Sequence, residues 1–181
     1  MQAWLESGEV DVALLYGGPL PAHFHVEPLV EEDLWVVGSP ADGFRRDQPV
    51  PLRLLEGRPL AVPAYLHGSR SLLEQASATL RVELNFAVET NSFGVQKRLA
   101  MNGTCITVLA ALAVTDEVEK GLASAAPLCE PRITRTIVLA HSLSRPLSPY
   151  VQCVLECLKD CMRAAIASGR WPEARWIGSG A

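Results

Sequence analysis

The sequence predicts an α/β fold in which strands and helices alternate through the middle of the chain. Two patterns carry that expectation. Short apolar runs of strand length, 10–16, 34–37, 59–62, 105–109 and 133–140, are separated by Gly, Pro and polar turn formers. Between several of them lie segments with helical periodicity, such as Leu72, Leu73, Ala76 and Leu80 in a helix over 69–80. A third observation bounds the size: 181 residues with 49% hydrophobic content suit one compact domain, or two small lobes, with a sizeable core.

In chain order, residues 3–7 read as the end of a helix stopped by Gly8, and 10–16 as a buried strand closed by Gly17-Gly18-Pro19. Asp11 in that strand is expected to be satisfied by backbone or by the strand end. Val26 to Leu29 and Leu34 to Val37 read as two strands, with Glu31-Glu32-Asp33 supplying a turn between them. Residues 41–50 are polar and rich in turn formers, which predicts an exposed loop. A single helical turn over 51–56 precedes the 59–62 strand, the 69–80 helix and a strand over 84–90. Asn91 and Ser92 then cap a helix over 93–101 that Gly103 stops. A strand over 105–109, a short helix opening at Thr115-Asp116-Glu117 and a β-branched strand over 133–140 follow. The last helix starts at Ser148-Pro149, where Pro suits the first helical position, and runs to about Ser168 before Gly169.

The stretch Arg58 to Arg70 combines a strand end, a loop with Gly68 and a helix opening at Ser69. Unpaired helix N–H groups and the positive end of the helix dipole favour a small anion there. Gly68 permits close approach, Ser69 can cap, and Arg70 offers a charge-assisted donor; an ordinary strand-to-helix turn has the same outline. In open α/β sheets ligands bind beyond the carboxyl ends of the strands. Those ends are Tyr16-Gly17-Gly18, 64–69, Thr90-Asn91-Ser92 and Leu109-Ala110, all small, polar or glycine-containing.

Composition excludes several classes. The net charge of -4 and the absence of a lysine-rich block give no basic surface for nucleic acid, so DNA contact by the chain itself is not expected. No apolar run is long enough to span a bilayer, and the first residues lack the pattern of a secretory signal, which suggests a cytoplasmic protein. The odd number of cysteines argues against a disulfide framework. Cys153, Cys157 and Cys161 recur at i, i+4, i+8 and read as small residues on a core-facing stripe. His23 and His25 flank Phe24 without a visible third metal ligand, so no metal or other cofactor is expected. No Ser/His/Asp elbow, phosphate loop or dinucleotide fingerprint is present.

The order of these elements resembles the C-terminal effector-binding domain of LysR-type transcriptional regulators. Leu5-Glu-Ser-Gly-Glu-Val-Asp-Val-Ala-Leu-Leu-Tyr16 looks like that family's strand with Asp between apolar residues. Glu27 to Val37 resembles the next strands, and Gly57-Arg-Pro-Leu-Ala-Val62 with Arg70 matches the opening of the second lobe. Glu89-Thr-Asn-Ser92, Met101-Asn-Gly-Thr-Cys-Ile-Thr-Val-Leu109 and Ser168-Gly-Arg-Trp171 resemble later segments. Thr104-Cys105-Ile106 stands where the family has a second glycine, and Ala110 where it often has proline.

The resemblance implies a two-lobed fold like type 2 periplasmic binding proteins, with the first lobe incomplete. Lobe one is placed at 1–56 plus 131–170, lobe two at 57–130, and 171–181 as a flexible tail. It further implies a regulatory protein, not an enzyme, that binds a small effector such as an organic acid in the interlobe cleft. By position, the effector-binding candidates are Tyr16, Gly17, Leu66, His67, Gly68, Ser69, Thr90, Asn91, Gly103 and Thr104. The family's helix-turn-helix is not in this sequence, so the chain reads as an N-terminally truncated regulator whose DNA contact lies in the missing part. A second copy of the chain is a further candidate partner. A stand-alone small-molecule-binding protein of the same fold is the alternative, and an α/β enzyme using Cys105 or His67 a weaker one.

Overall fold

A computed structural model describes residues 2–18, 20–64 and 68–179. The order of elements is α1 (Gln2–Ser7), β1 (Val12–Tyr16), β2 (Phe24–Gly38), β3 (Val50–Pro51), β4 (Pro59–Val62), α2 (Gly68–Leu80), β5 (Asn85–Glu89), α3 (Phe93–Met101) and β6 (Ile106–Ala110). It continues with α4 (Thr115–Glu119), β7 (Ser124–Cys129), β8 (Thr134–Ser142), α5 (Pro149–Ala167) and β9 (Ala174–Trp176). The chain falls into two compact units. One comprises residues up to Glu32 and from Arg135 onward; the other is Asp33–Thr134. The division thus falls at 32/33 and 134/135, not at the 56/57 and 130/131 boundaries that the sequence suggests.

In the 33–134 unit, β4 lies between β5 and β6 and pairs with both in parallel, while β2 pairs antiparallel with β6 and β7. Alternation along β2 sends Leu34 and Val36 to one face and Trp35 and Val37 to the other. Each pair enters a separate core. Leu34 and Val36 join Leu52, Leu55, Leu60, Leu73, Ile106 and Leu128. Trp35 and Val37 join Ala100, Leu109, Val114 and Ala125. A sheet buried on both faces needs near-continuous apolar strands, and β6 is buried at all of its positions. Each fully buried leucine of this core contributes roughly 1.5–3 kcal/mol of hydrophobic free energy before the entropy of ordering it is counted.

In the other unit, β1 pairs antiparallel with β8 from Val12 opposite His141 to Tyr16 opposite Ile137. Strand β9 pairs antiparallel with the first part of β2. Leu29, Val30 and Leu139 pack against Leu155 and Met162 of α5. Leu5, Ala13, Phe24 and Ala140 form a smaller core beside α1.

Three expectations are corrected, and one strand is added. The expected turn at Glu31-Glu32-Asp33 is the middle of a continuous 15-residue strand, β2. Acidic residues are accommodated there because the buried carboxylates are paired: Glu32 with Arg135, and Asp33 with Arg132. Strand β7 is not among the strands the sequence suggests; its Ala125-Ala126-Pro127 core is neither β-branched nor alternating. The expected flexible tail contains β9, and Trp176 packs into the α5 core. Finally, Cys153, Cys157 and Cys161 are exposed. The inward stripe of α5 is instead Val151, Leu155, Leu158, Met162 and Ile166.

Candidate functional site

Parallel pairing brings the carboxyl ends of β4 and β5 to the same edge of the 33–134 unit, with Val62 opposite Glu89. The two strand tips are then tied together. The Thr90 amide donates to the Val62 carbonyl at 2.9 Å, and the Ala64 amide donates to Oδ1 of Asn91 at 2.9 Å. Behind them, the hydroxyl of Ser92 caps α3 by accepting from the Val95 amide at 3.4 Å. Helix α2 opens at the same edge: Gly68 is its first residue and Ser69 is buried.

A buried polar chain holds this edge from below. Gln96, fully buried on α3, donates from Nε2 to the Thr90 carbonyl at 2.7 Å. The Thr107 hydroxyl, which donates to the Ala61 carbonyl at 2.7 Å, lies 3.2 Å from Oε1 of Gln96. Every link joins a strand to its neighbour or to the helix behind, so the backbone around Thr90 is set by interior bonds. Sequence inspection missed Gln96 because a polar residue within an amphipathic helix looks solvated. Only the sheet pairing shows that it faces the interior.

Arg70 departs from its expected role. Its Nε donates to Glu74 at 2.8 Å, its Nη1 meets Glu89 at 2.6 Å, and the guanidinium lies 5.0 Å from the Phe86 ring centroid. Hydrogen bonds to Glu74 and Glu89 raise its pKa further. Two carboxylates neutralise this cation, so it fastens α2 to β5 instead of offering a bare charge to an anion.

The remaining candidates separate. Gly68, Ser69, Thr90 and Asn91 share the edge just described. Gly103 and Thr104 do not: they follow α3 and precede β6, whose Ile106 lies opposite Leu60 near the start of parallel β4. They therefore sit at the opposite end of the strands, where Gly103 holds φ +72° as the helix stop and approaches Ser39. Leu66 and His67 lie outside the described residues. Tyr16 and Gly17 belong to the other unit, at the end of β1. The Gly17 amide donates to the Thr136 carbonyl at 2.7 Å, and the Arg135 guanidinium covers the Tyr16 ring at 4.1 Å. Cys105 is buried.

The same unit contains a cavity of about 310 Å³ that includes His25, Glu27, His141, Leu155 and Lys159 in its lining. The His25 and His141 rings lie with centroids 4.8 Å apart and planes tilted by 35°, and Lys159 pairs with Glu27 at 2.9 Å. Among the described residues no group of three or more His, Cys, Asp or Glu side chains could hold a metal ion. Nor is any described helix long and apolar enough to cross a membrane.

Comparison with known sequences decides the family. Residues 1–163 match the LysR substrate binding domain. The chain belongs to that family. Among its relatives is the HTH-type transcriptional regulator BbuR of Bordetella bronchiseptica, 27% identical over 165 residues, which cover 91% of this chain and 51% of the relative. A probable nitrogen assimilation transcriptional activator of Synechococcus elongatus is 26% identical over 165 residues, covering 90% of this chain and 53% of the relative. The LysR substrate-binding domain described here thus spans about half the length of the relatives it matches. Solved structures share its fold. The CcmR regulatory domain of Synechocystis PCC6803, in complex with 2-PG, has TM-score 0.77 at 18% identity, covering 88% of this chain and 77% of that one. The effector binding domain of QuiR in complex with shikimate has TM-score 0.76 at 14% identity, covering 90% and 76%. The mixed α/β architecture is therefore that of LysR effector-binding domains, the type 2 periplasmic-binding-protein-like fold expected from the sequence.

Proposed function

We propose that this LysR substrate-binding domain is the sensory part of a transcriptional regulator and binds a small anionic metabolite at the edge formed by Gly68, Ser69, Thr90 and Asn91. The observation that carries the reading is the tie between Ala64 and Asn91, which fixes two strand tips next to the N-terminus of a 13-residue helix. Helix N–H groups and dipole favour an anion at such a place. Support for the ligand class comes from the fold: the structurally similar CcmR and QuiR domains were solved with 2-PG and with shikimate. In the intact regulator, DNA binding would reside in a different part of the protein, and this chain would transmit ligand occupancy without chemistry.

A thermal-shift series with small organic acids tests the proposal, because a ligand that binds only the folded state raises apparent stability with concentration. A carboxylate or phosphate-bearing acid should raise the Tm of the wild-type chain and leave that of a Ser69→Trp variant unchanged. Equal shifts in both would remove the site from the proposal, and consumption of the acid would point to an enzyme.

A further inference from the structure

The exposed thiols of α5 have no role in the effector reading. Cys153, Cys157 and Cys161 are spaced one helical turn apart on the solvent side of a 19-residue helix whose opposite face fills the core. Residues four apart on a helix have Cβ atoms about 5–6 Å apart, so neighbouring thiols in such a row can turn toward each other. Cys153 and Cys157 are one such pair of exposed neighbours, and Cys157 and Cys161 are the other. Cys157 is thus the centre of the row and belongs to both adjacent pairs.

We infer that this row binds a soft, thiophilic d10 cation of the Cu(I) class, held between two adjacent thiolates with Cys157 common to both possible pairs. The donor set selects this class. Thiolates prefer soft cations, whereas Ca²⁺ and Mg²⁺ require oxygen ligands and structural Zn²⁺ requires four donors. Three sulfurs strung along one helix do not converge on one point, which agrees with the lack of any three-donor group among the described residues. Two-coordinate binding on a near-linear sulfur–metal–sulfur axis needs only one adjacent pair. Each bound ion replaces two S–H protons, which pass to solvent, with two S–metal bonds; no oxidation state changes. The exposed position leaves the ion open to exchange with another thiol carrier.

Anaerobic competition tests the site. The reduced, full-length chain is titrated with Cu(I) in the presence of the chromophoric chelator bathocuproine disulfonate. The wild-type chain should withhold about one equivalent of Cu(I) from the chelator. Cys157→Ser should withhold at least tenfold less, and Cys129→Ser should match the wild type. If Cys157→Ser fails to fold, the Cys153→Ser/Cys161→Ser pair removes both partners of Cys157 and should lose the metal in the same way. Undiminished Cu(I) retention in either of these variants, or loss of it in Cys129→Ser, overturns the assignment.

Discussion

Arg135 donates from Nε to Oε1 of Glu32 at 2.5 Å, and both side chains are almost entirely withdrawn from water, at 12% and 3% exposure. The other oxygen of Glu32 accepts from the Trp171 indole at 2.8 Å. The guanidinium also covers the Tyr16 ring. One carboxylate thus anchors β2 to β8 and to the segment after α5, and it holds the cation that packs on the Tyr16 ring.

Removing that carboxylate should be severe. Breaking a buried pair by deleting one partner strands the other charge and costs about 3–5 kcal/mol. Glu32→Ala should lower the unfolding free energy by about that amount in urea denaturation. A loss below about 1 kcal/mol would mean that Arg135 finds water or another acceptor.

Asp42 gives a pH signature. Burial pushes its carboxyl up, but hydrogen bonds from the Ser39 side chain, Arg58 and the Ser39 backbone outweigh this and hold it below the ordinary carboxylate range. A depressed folded-state pKa means that the unfolded chain binds the proton more readily. This contribution is fully present above about pH 4, the unfolded value, and is lost as pH falls through the folded one. Asp42→Asn should therefore flatten the acid limb of the stability curve measured below about pH 4. An unchanged limb would contradict the assignment.

Gly103 separates conformation from binding. At φ +72° a side chain costs about 1–2 kcal/mol, and a Cβ there would meet nothing closer than 3.6 Å, so the cost is backbone strain and not a clash. Gly103→Ala should lower the Tm without changing affinity for a ligand at the Asn91 edge. A loss of affinity matching that of an Asn91 variant would restore Gly103 to the site.

Much of this architecture is legible in the sequence, for reasons that differ by element. Helix α3 has its cap, Ser92, and its stop, Gly103, written locally, and β4 is bounded by prolines. The carboxyl-end cluster follows from strand order alone. Glu32 and Asp33 mislead because acidic residues between apolar runs resemble a turn until their arginine partners, about a hundred residues away, are known. Arg70 misleads in the same way: its neutralisation depends on Glu89, which only the pairing of β4 with β5 brings near. The family resemblance groups Gly103 with the site, whereas the direction of β6 carries it to the other end of the sheet.

The most direct test is to map a bound acid on the ¹⁵N-labelled chain by amide chemical-shift perturbation, comparing the wild type with Asn91→Ala. The account predicts shifts concentrated at Ala64, Gly68, Ser69, Thr90 and Asn91, weakened at least several-fold in the variant as the Ala64–Asn91 tie is lost. Shifts centred on His25 and His141, or on Gly103 and Thr104, with Asn91→Ala binding as tightly as the wild type, would contradict it.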